Sequence, residues 1–468
     1  MARSAKDRSE RKTKPSVHGE AFEAHLQDLL GESSGALIAA LGTVSPTSIR
    51  INPVKWVGPQ ASPIPWCATG RYLDQRPAFT FDPLLHAGAY YVQEASSMLV
   101  EQAVRAAGLQ GRDVLALDLC AAPGGKTTHL CGLLGSGSLL VANEIDRKRR
   151  SVLQENLWKW GASNTVLGGS APSDLKGLPS FFDLILVDAP CSGEGMFRKD
   201  PFAREQWSPA LVEQCTLVQR DILQHAWNAL RPGGHLIYST CTWEEAENEE
   251  QLAALVDLGA VCVPVPVDPT WGMVRSTSPG INAVRSYPHL TRGEGFFIAV
   301  LRKPGEAAER LRSKHTEPQE HAQVLTWLGR EEHWVLTERD GVLYATDAQW
   351  GPTLTTLTNA LRILSPGVPV AERKGGEWRP HPALALSTAL NKDAFQHIAV
   401  GRAGALDYLR GASLPAVEAK GTGLIMHDGC GLGWAQGAGS RWNNRWPTPW
   451  RIRAHQPSAP LVSWARSS

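Results

Sequence analysis

No stretch of this sequence stays apolar for the roughly 20 residues that a helix needs to cross a bilayer, which argues against a membrane protein. The opening MARSAKDRSERKTKPS has basic charge but lacks the apolar core that a secretory signal places after it, so the expected location is the cytoplasm. Cysteine is scarce. Eight in 468 residues cannot build a disulfide scaffold, and no paired Cys-x-x-Cys knuckles offer a structural zinc site. Any cysteine that stands out is therefore expected to be a reactive thiol. Charge of one sign is missing too: a net +1 gives no electrostatic footprint of nucleic-acid binding. Gly-x-Gly-x-x-Gly is absent, which weakens any reading as a hydride-transfer enzyme.

What is present is long and ordinary in balance. A chain of 468 residues exceeds one compact core, and two to four domains are expected. Hydrophobic content of 43% with 20% charged residues is typical of a soluble globular protein. Tryptophan is abundant at 17, and Trp434, Trp442, Trp446 and Trp450 cluster with Arg441, Arg445 and Arg451. Such a cluster either packs a small core or offers RNA a stacking surface.

Along the chain, residues 1–15 read as a disordered basic tail and 16–100 as an N-terminal domain. The latter holds a helical stretch, AFEAHLQDLLG, then TSIRINPVKW and AYYVQEASSM. From Gly111 the pattern becomes apolar strand, turn, helix, repeated, the signature of an α/β domain with a doubly wound, Rossmann-like parallel sheet. This domain is placed at 101–303. DVLALDLC is its first strand, SLLVANEI its second, FFDLILVDAP its fourth, and GFFIAVLRK closes the sheet. A long helix follows Ser208 as N-cap and Pro209, with Leu211, Val212, Cys215, Val218, Ile222, Leu223, Ala226 and Leu230 on its apolar face. Residues 304–320 are charged and read as a linker, with small α+β or β-rich domains expected at 321–390 and 391–468.

The loop DLCAAPGGKT after the first strand sits where doubly wound sheets bind nucleotides. Gly124 and Gly125 allow close backbone approach, the next helix offers free amides, and Glu144 ends the second strand where an acid can reach ribose hydroxyls. Two later strand ends each carry a cysteine in a polar loop, Cys191 in VDAPCSGEG and Cys241 in YSTCTWEEAENEE. Either thiol alone is most simply a buried packing residue. Two at adjacent strand ends, on the edge that carries the cofactor loop, point to nucleophilic chemistry. Carbon 5 of cytosine accepts a methyl group only after electron donation into the ring, which a thiolate adding at carbon 6 provides. A second polar group must then help remove the carbon 5 proton. Asp188 can bond the cytosine edge or merely cap its strand, and Lys126 can pair with Asp188, with the ligand, or lie in solvent.

These three motifs resemble the RNA 5-methylcytosine methyltransferases of the NOL1/NOP2/Sun family, and MFRKDP (196–201) with the WRI-containing C-terminus is most similar to the RsmF-type 16S rRNA enzymes within it. The resemblance runs over about Ser48 to Arg302. It implies S-adenosyl-L-methionine as cofactor, held by Cys120, Ala121, Ala122, Pro123, Gly124, Gly125, Lys126, Glu144 and Asp188. It implies Cys241 as nucleophile and Cys191 as the group that assists release, with Asp188 and Lys126 in the catalytic set, and no metal. It further implies an RNA-binding N-terminal domain, a PUA-like RNA-binding module at 391–468, and 16S rRNA or the 30S subunit as partner, with no DNA and no membrane. Family members commonly place an aspartate near the adenine after the third strand; here Ser170 or Ala171 aligns, and Asp174 falls slightly late. The same chemistry on transfer RNA, and a non-catalytic RNA-binding ribosome assembly factor, are the alternatives. DNA cytosine methyltransferases are disfavoured by the Thr240-Cys241 pair, and amino-group methyltransferases by DAPC in place of an Asp/Asn-Pro-Pro-aromatic loop.

Overall fold

The computed structural model describes residues 17–306, 321–330, 333–457 and 459–464. The expected tail at 1–15 and all but the first three residues of the expected linker at 304–320 lie outside them.

The chain opens with helices Val17–Leu30 and Ser34–Leu41, then a four-stranded sheet ordered 63–64, 67–73, 47–51, 90–92. The strand Thr47–Ile51 is buried throughout, although it carries an arginine. Arg50 is 1% exposed. Its guanidinium donates to Gln93 Oε1 at 2.7 Å, to Thr128 Oγ1 at 2.6 Å and to Gly125 O at 3.2 Å, and it lies 4.3 Å over the Trp160 ring. Asn52 bonds Gly88 O and Trp160 O. RINP thus clamps the N-terminal sheet to the central parallel-sheet core, and its two polar side chains are not available to RNA.

That core is built on β1 Leu115–Asp118, β2 Leu139–Asn143, β3 Thr165–Gly168, β4 Phe182–Asp188, β5 Leu230–Thr240, β6 Ala283–Ser286 and β7 Phe296–Arg302, ordered β3-β2-β1-β4-β5-β7-β6. The first five are parallel, while β7 runs antiparallel to both β5 and β6. β7 therefore does not close the sheet, as its sequence position implied: β6 and the short strand Val274–Arg275 lie beyond it. β1 and β4 are apolar on both faces because helices cover both. α1 Gly125–Leu133 packs on one face, and α3 Pro209–Ala229 on the other; α2 Arg147–Trp160 follows β2.

α3 starts as its sequence predicts, with Ser208 Oγ accepting from Leu211 N. Its buried stripe differs from the expected one. Val218 is 43% exposed, whereas Gln219 is fully buried. Gln219 Nε2 donates to Glu247 Oε2 at 2.8 Å and Pro190 O at 2.9 Å, so a polar residue occupies the stripe to hold the loop before Cys191.

The segment expected to form a separate domain at 321–390 contributes to two layers. Strands Trp334–Arg339, Val342–Asp347, Val368–Lys374 and Glu377–Pro380 form their own sheet. Between them, helix Gly351–Ala360 and strand Ile363–Ser365 join the central core, the strand pairing antiparallel with β3. The C-terminal unit is a five-stranded sheet over 396–444 with helix Arg402–Arg410. Trp434, Trp442 and Trp446 are at most 5% exposed, which settles these three as packing residues; Trp450 is half-buried. This unit shares a core with the N-terminal sheet through Phe79, Phe81 and Tyr90.

Candidate functional site

The carboxyl ends of β1, β2, β4 and β5 bring the sequence-predicted residues to one edge. Parallel pairing fixes this: β4 and β5 are matched from Leu184 with His235 through Asp188 with Ser239, so the loops that leave them emerge side by side. Cys191 Sγ and Cys241 Sγ are 3.2 Å apart. The Cys241 backbone N–H donates to Cys191 Sγ at 3.4 Å, and Gly195 N donates to Cys241 O at 2.7 Å, so the two loops are stitched to each other.

A polar frame surrounds the thiols. Ser192 Oγ is 2.9 Å from Thr242 Oγ1, which donates to Glu194 Oε2 at 2.9 Å. Ser192 N donates to Glu247 Oε2 at 3.0 Å. These groups are almost wholly buried and none was singled out in the sequence. Glu194 was hidden inside SGEG and Glu247 inside an acid run that reads as a solvated face.

Lys126 and Asp188 do pair: Lys126 Nζ donates to Asp188 Oδ2 at 2.8 Å, while Ser239 Oγ donates to Asp188 Oδ1 at 2.8 Å. Burial works against the Lys126 charge, but Asp188 outweighs it and raises the ammonium's pKa. The two thiols are within hydrogen-bond distance of each other, and either can donate. The hydrogen bond from Cys191 lowers the Cys241 pKa, burial and Asp188 oppose it, and Lys126 assists, leaving Cys241 below its ordinary 9.0. Cys191 is pushed up, first by that same hydrogen bond and then by burial. Cys241 is therefore the more readily ionised thiol of the two.

The cofactor loop leaves β1 and enters α1 at Gly124, whose φ of +110° is left-handed and suits glycine. Ala121, Ala122 and Gly124 are buried, Cys120, Gly125 and Lys126 half-buried, and Pro123 exposed. Asp118, which the sequence reading did not select, is fully buried; burial raises its pKa to about 7. Its Oδ2 accepts from Thr127 Oγ1 at 2.6 Å, and its Oδ1 has no hydrogen-bond partner among the described residues. Glu144 ends β2 with Oε1 capped by Asp146 N, while its buried Oε2 accepts no hydrogen bond and lies 3.3 Å from the exposed guanidinium of Arg149. Two buried carboxylate oxygens that accept no hydrogen bond, Glu144 Oε2 held only by its ion pair with Arg149 and Asp118 Oδ1, lie beside a glycine-lined loop and fit a ligand that brings hydroxyls and positive charge, as the ribose and sulfonium of S-adenosylmethionine do.

After β3, the Asp174 carboxylate accepts from Ala171 N and caps its own turn. Ser170 is buried, its N–H donating to Asn143 Oδ1 and its Oγ accepting from Arg362 N.

Comparison with known proteins gives a consistent picture. Residues 108–302 match the family model for 16S rRNA methyltransferase RsmB/F, residues 19–95 that for the N-terminal domain of 16S rRNA methyltransferase RsmF, and residues 395–452 that for the methyltransferase RsmF PUA domain. The ribosomal RNA small subunit methyltransferase F of Erwinia tasmaniensis is 32% identical over 435 residues, covering 85% of this chain and 86% of that relative. Among solved structures, a methyltransferase homolog protein from Pyrococcus horikoshii aligns with a TM-score of 0.52 at 30% identity, over 61% of this chain and 95% of that one. NSun6 from the same organism, with the ligand SFG, aligns at 0.51 and 23% identity, over 61% and 98%, and supports the fold.

Proposed function

The chain belongs to the RsmB/F family of 16S rRNA methyltransferases, and from that premise we propose that it methylates carbon 5 of a cytosine in small-subunit rRNA through a transient Cys241 adduct. The observation that carries this reading is the 3.2 Å pair of thiols at the ends of two adjacent parallel strands, beside the Lys126–Asp188 ion pair.

S-adenosyl-L-methionine, when bound, supplies the methyl group. The residues that would hold it are the loop Cys120 to Lys126, Glu144 through its Oε2, which accepts no hydrogen bond but pairs with Arg149, and Asp188, with Asp118 anchoring the loop through Thr127. The target cytosine has to leave its stack, because carbon 6 is inaccessible within a helix. The Cys241 thiolate then adds to carbon 6, forming an S–C bond and moving an electron pair into the ring toward carbon 5. Asp188, held on both oxygens by Lys126 and Ser239, accepts from the cytosine amino group and so favours cytosine over uracil. Once Cys241 is held in the adduct, its thiolate charge no longer keeps Cys191 protonated; Cys191 gives its own proton to solvent and, as thiolate, takes the carbon 5 proton after methylation, and the electron pair re-forms the ring double bond and expels Cys241. Removing Cys191 therefore leaves the enzyme trapped on its product.

The test is incubation of the full chain with labelled S-adenosylmethionine and, separately, naked 16S rRNA, 30S subunits and transfer RNA, followed by base-resolution mapping of 5-methylcytosine. Label is expected at defined cytosines of the small-subunit rRNA and should fall by at least about 10³-fold in Cys241→Ala, which still binds cofactor. Turnover retained in that variant, or label confined to transfer RNA, would sink the reading.

A further inference from the structure

Three side chains from three separate segments converge beside the cysteine loops. His25 comes from helix Val17–Leu30, Glu194 from the loop after Cys191, and Glu244 from the loop after Cys241. His25 Nε2 lies 3.5 Å from Glu194 Oε1 and 3.2 Å from Glu244 Oε1, and all three atoms are within 4.8 Å of one another.

The hydrogen bonding around them is incomplete in a telling way. Glu194 is 0% exposed, and its Oε2 accepts from Thr242 Oγ1 and Trp243 N. Its Oε1 has no hydrogen-bond partner among the described residues, nor has His25 Nε2, and both are buried. A buried acceptor without a donor is costly and rare. Two carboxylates that share a pocket also oppose each other's ionisation. A cation at the centre of the three atoms removes both problems at once.

The spacing is that of a metal's ligand shell. Zinc binds imidazole nitrogen and carboxylate oxygen at about 2.0–2.2 Å, and a tetrahedron with such bonds has edges of roughly 3.3–3.6 Å. The two edges from His25 Nε2, 3.2 and 3.5 Å, fall at or next to that length, and the third is within 4.8 Å. One imidazole with two carboxylates is a borderline donor set that zinc accepts, leaving a fourth position for water. His25 is 22% and Glu244 13% exposed at the side chain, so the site can be reached from solvent.

We propose that His25, Glu194 and Glu244 form a divalent-cation site, suited to zinc, that ties the N-terminal helix to both cysteine loops. None of the three ligand atoms is assigned a part in the methyl-transfer steps.

The Cys191 and Cys241 thiols would themselves attract zinc, so the test uses the tag-free full chain carrying Cys191→Ser and Cys241→Ser. This protein is loaded with zinc, passed through gel filtration and assayed for bound metal by mass spectrometry, with a parallel thermal melt. One retained zinc per chain is expected, with a Tm rise of about 4 °C. His25→Ala and Glu244→Gln, both at partly exposed positions, should each weaken binding by at least about 10-fold and abolish the Tm rise. Substoichiometric zinc, or zinc retained unchanged in both variants, would overturn the assignment.

Discussion

At the scale of single residues, the proposed chemistry turns on which of the two hydrogen-bonded thiols ionises first. The hydrogen bond from Cys191 is the largest influence lowering the Cys241 pKa, and Lys126 adds to it. Adduct formation with cytosine should therefore rise with pH along a limb that lies below the ordinary thiol value of 9.0. In Cys191→Ala the principal stabiliser of the thiolate is gone, so that limb should move to higher pH. The same variant should accumulate a protein–RNA complex that survives denaturing gels, since nothing then removes the carbon 5 proton. An unmoved limb in a single-turnover pH series would refute the electrostatic account, and a missing complex at high pH would refute the division of labour. Lys126→Met should also shift the limb upward and slow methyl transfer by about 10²-fold, because Asp188 loses the partner that fixes it. The paired thiols, Lys126 and Asp188 were all legible in the sequence, because each sits in a short motif at a strand end. Their supports were not. Glu194, Glu247, Gln219 and Asp118 work through burial, and a lone polar residue in a loop or on a helix gives no sign of being buried until its neighbours fold over it.

At the scale of elements, the cofactor loop is held from outside its own domain. Arg50, on a strand of the N-terminal sheet, reaches into the first turn of α1 and bonds Gly125 O and Thr128 Oγ1. Burial lowers its pKa only to about 10, so it stays charged at neutral pH. Arg50→Ala should destabilise the chain by about 3 kcal/mol, since several buried acceptors lose their donor at once. It should also weaken cofactor binding, as α1 is no longer pinned. Arg50→Lys should recover little of either, because an ammonium cannot fork between Gln93 and Thr128 as a guanidinium does. Chemical denaturation and calorimetric titration with S-adenosylmethionine would measure both effects, and a stable Arg50→Ala chain with unchanged affinity would refute the clamp. Element types were readable from periodicity: β1, β2 and β4 carry the apolar runs 115–117, 139–142 and 184–187, and α3 has its Ser-Pro start. Their neighbours were harder to read. Nothing in GFFIAVLRK distinguishes a central antiparallel strand from an edge one, because the difference lies in what pairs beyond it.

At the scale of the whole molecule, the modules along the chain do not fold as beads on a string. Sequence composition marked a boundary near Pro304, where charge rises and bulky side chains thin out. The packing crosses that boundary twice. Trp350, Leu354, Leu357 and Ile363 complete the core beneath the central sheet, and Trp350 Nε1 donates to Gly137 O at 2.9 Å. At the other end, Trp464 donates to Asp82 Oδ2 at 2.9 Å and lies against Trp56 and Tyr90, joining the chain's last described residues to the N-terminal sheet. Such long-range closure leaves no local trace, since neither partner's segment is unusual by itself. It does have a consequence that can be measured. A chain ending at Pro304 retains every residue of the proposed methyl-transfer site, yet it uncovers the apolar surfaces that Leu354 and Leu357 fill at one side and that Tyr408 and Leu409 fill at the other. Exposed patches of that kind drive association. The truncated chain should therefore bind a hydrophobic dye, elute as aggregates in gel filtration, and melt well below the full chain. A monomeric truncation that melts at the full chain's Tm would mean that the catalytic core is self-sufficient, and that the C-terminal modules serve RNA capture alone.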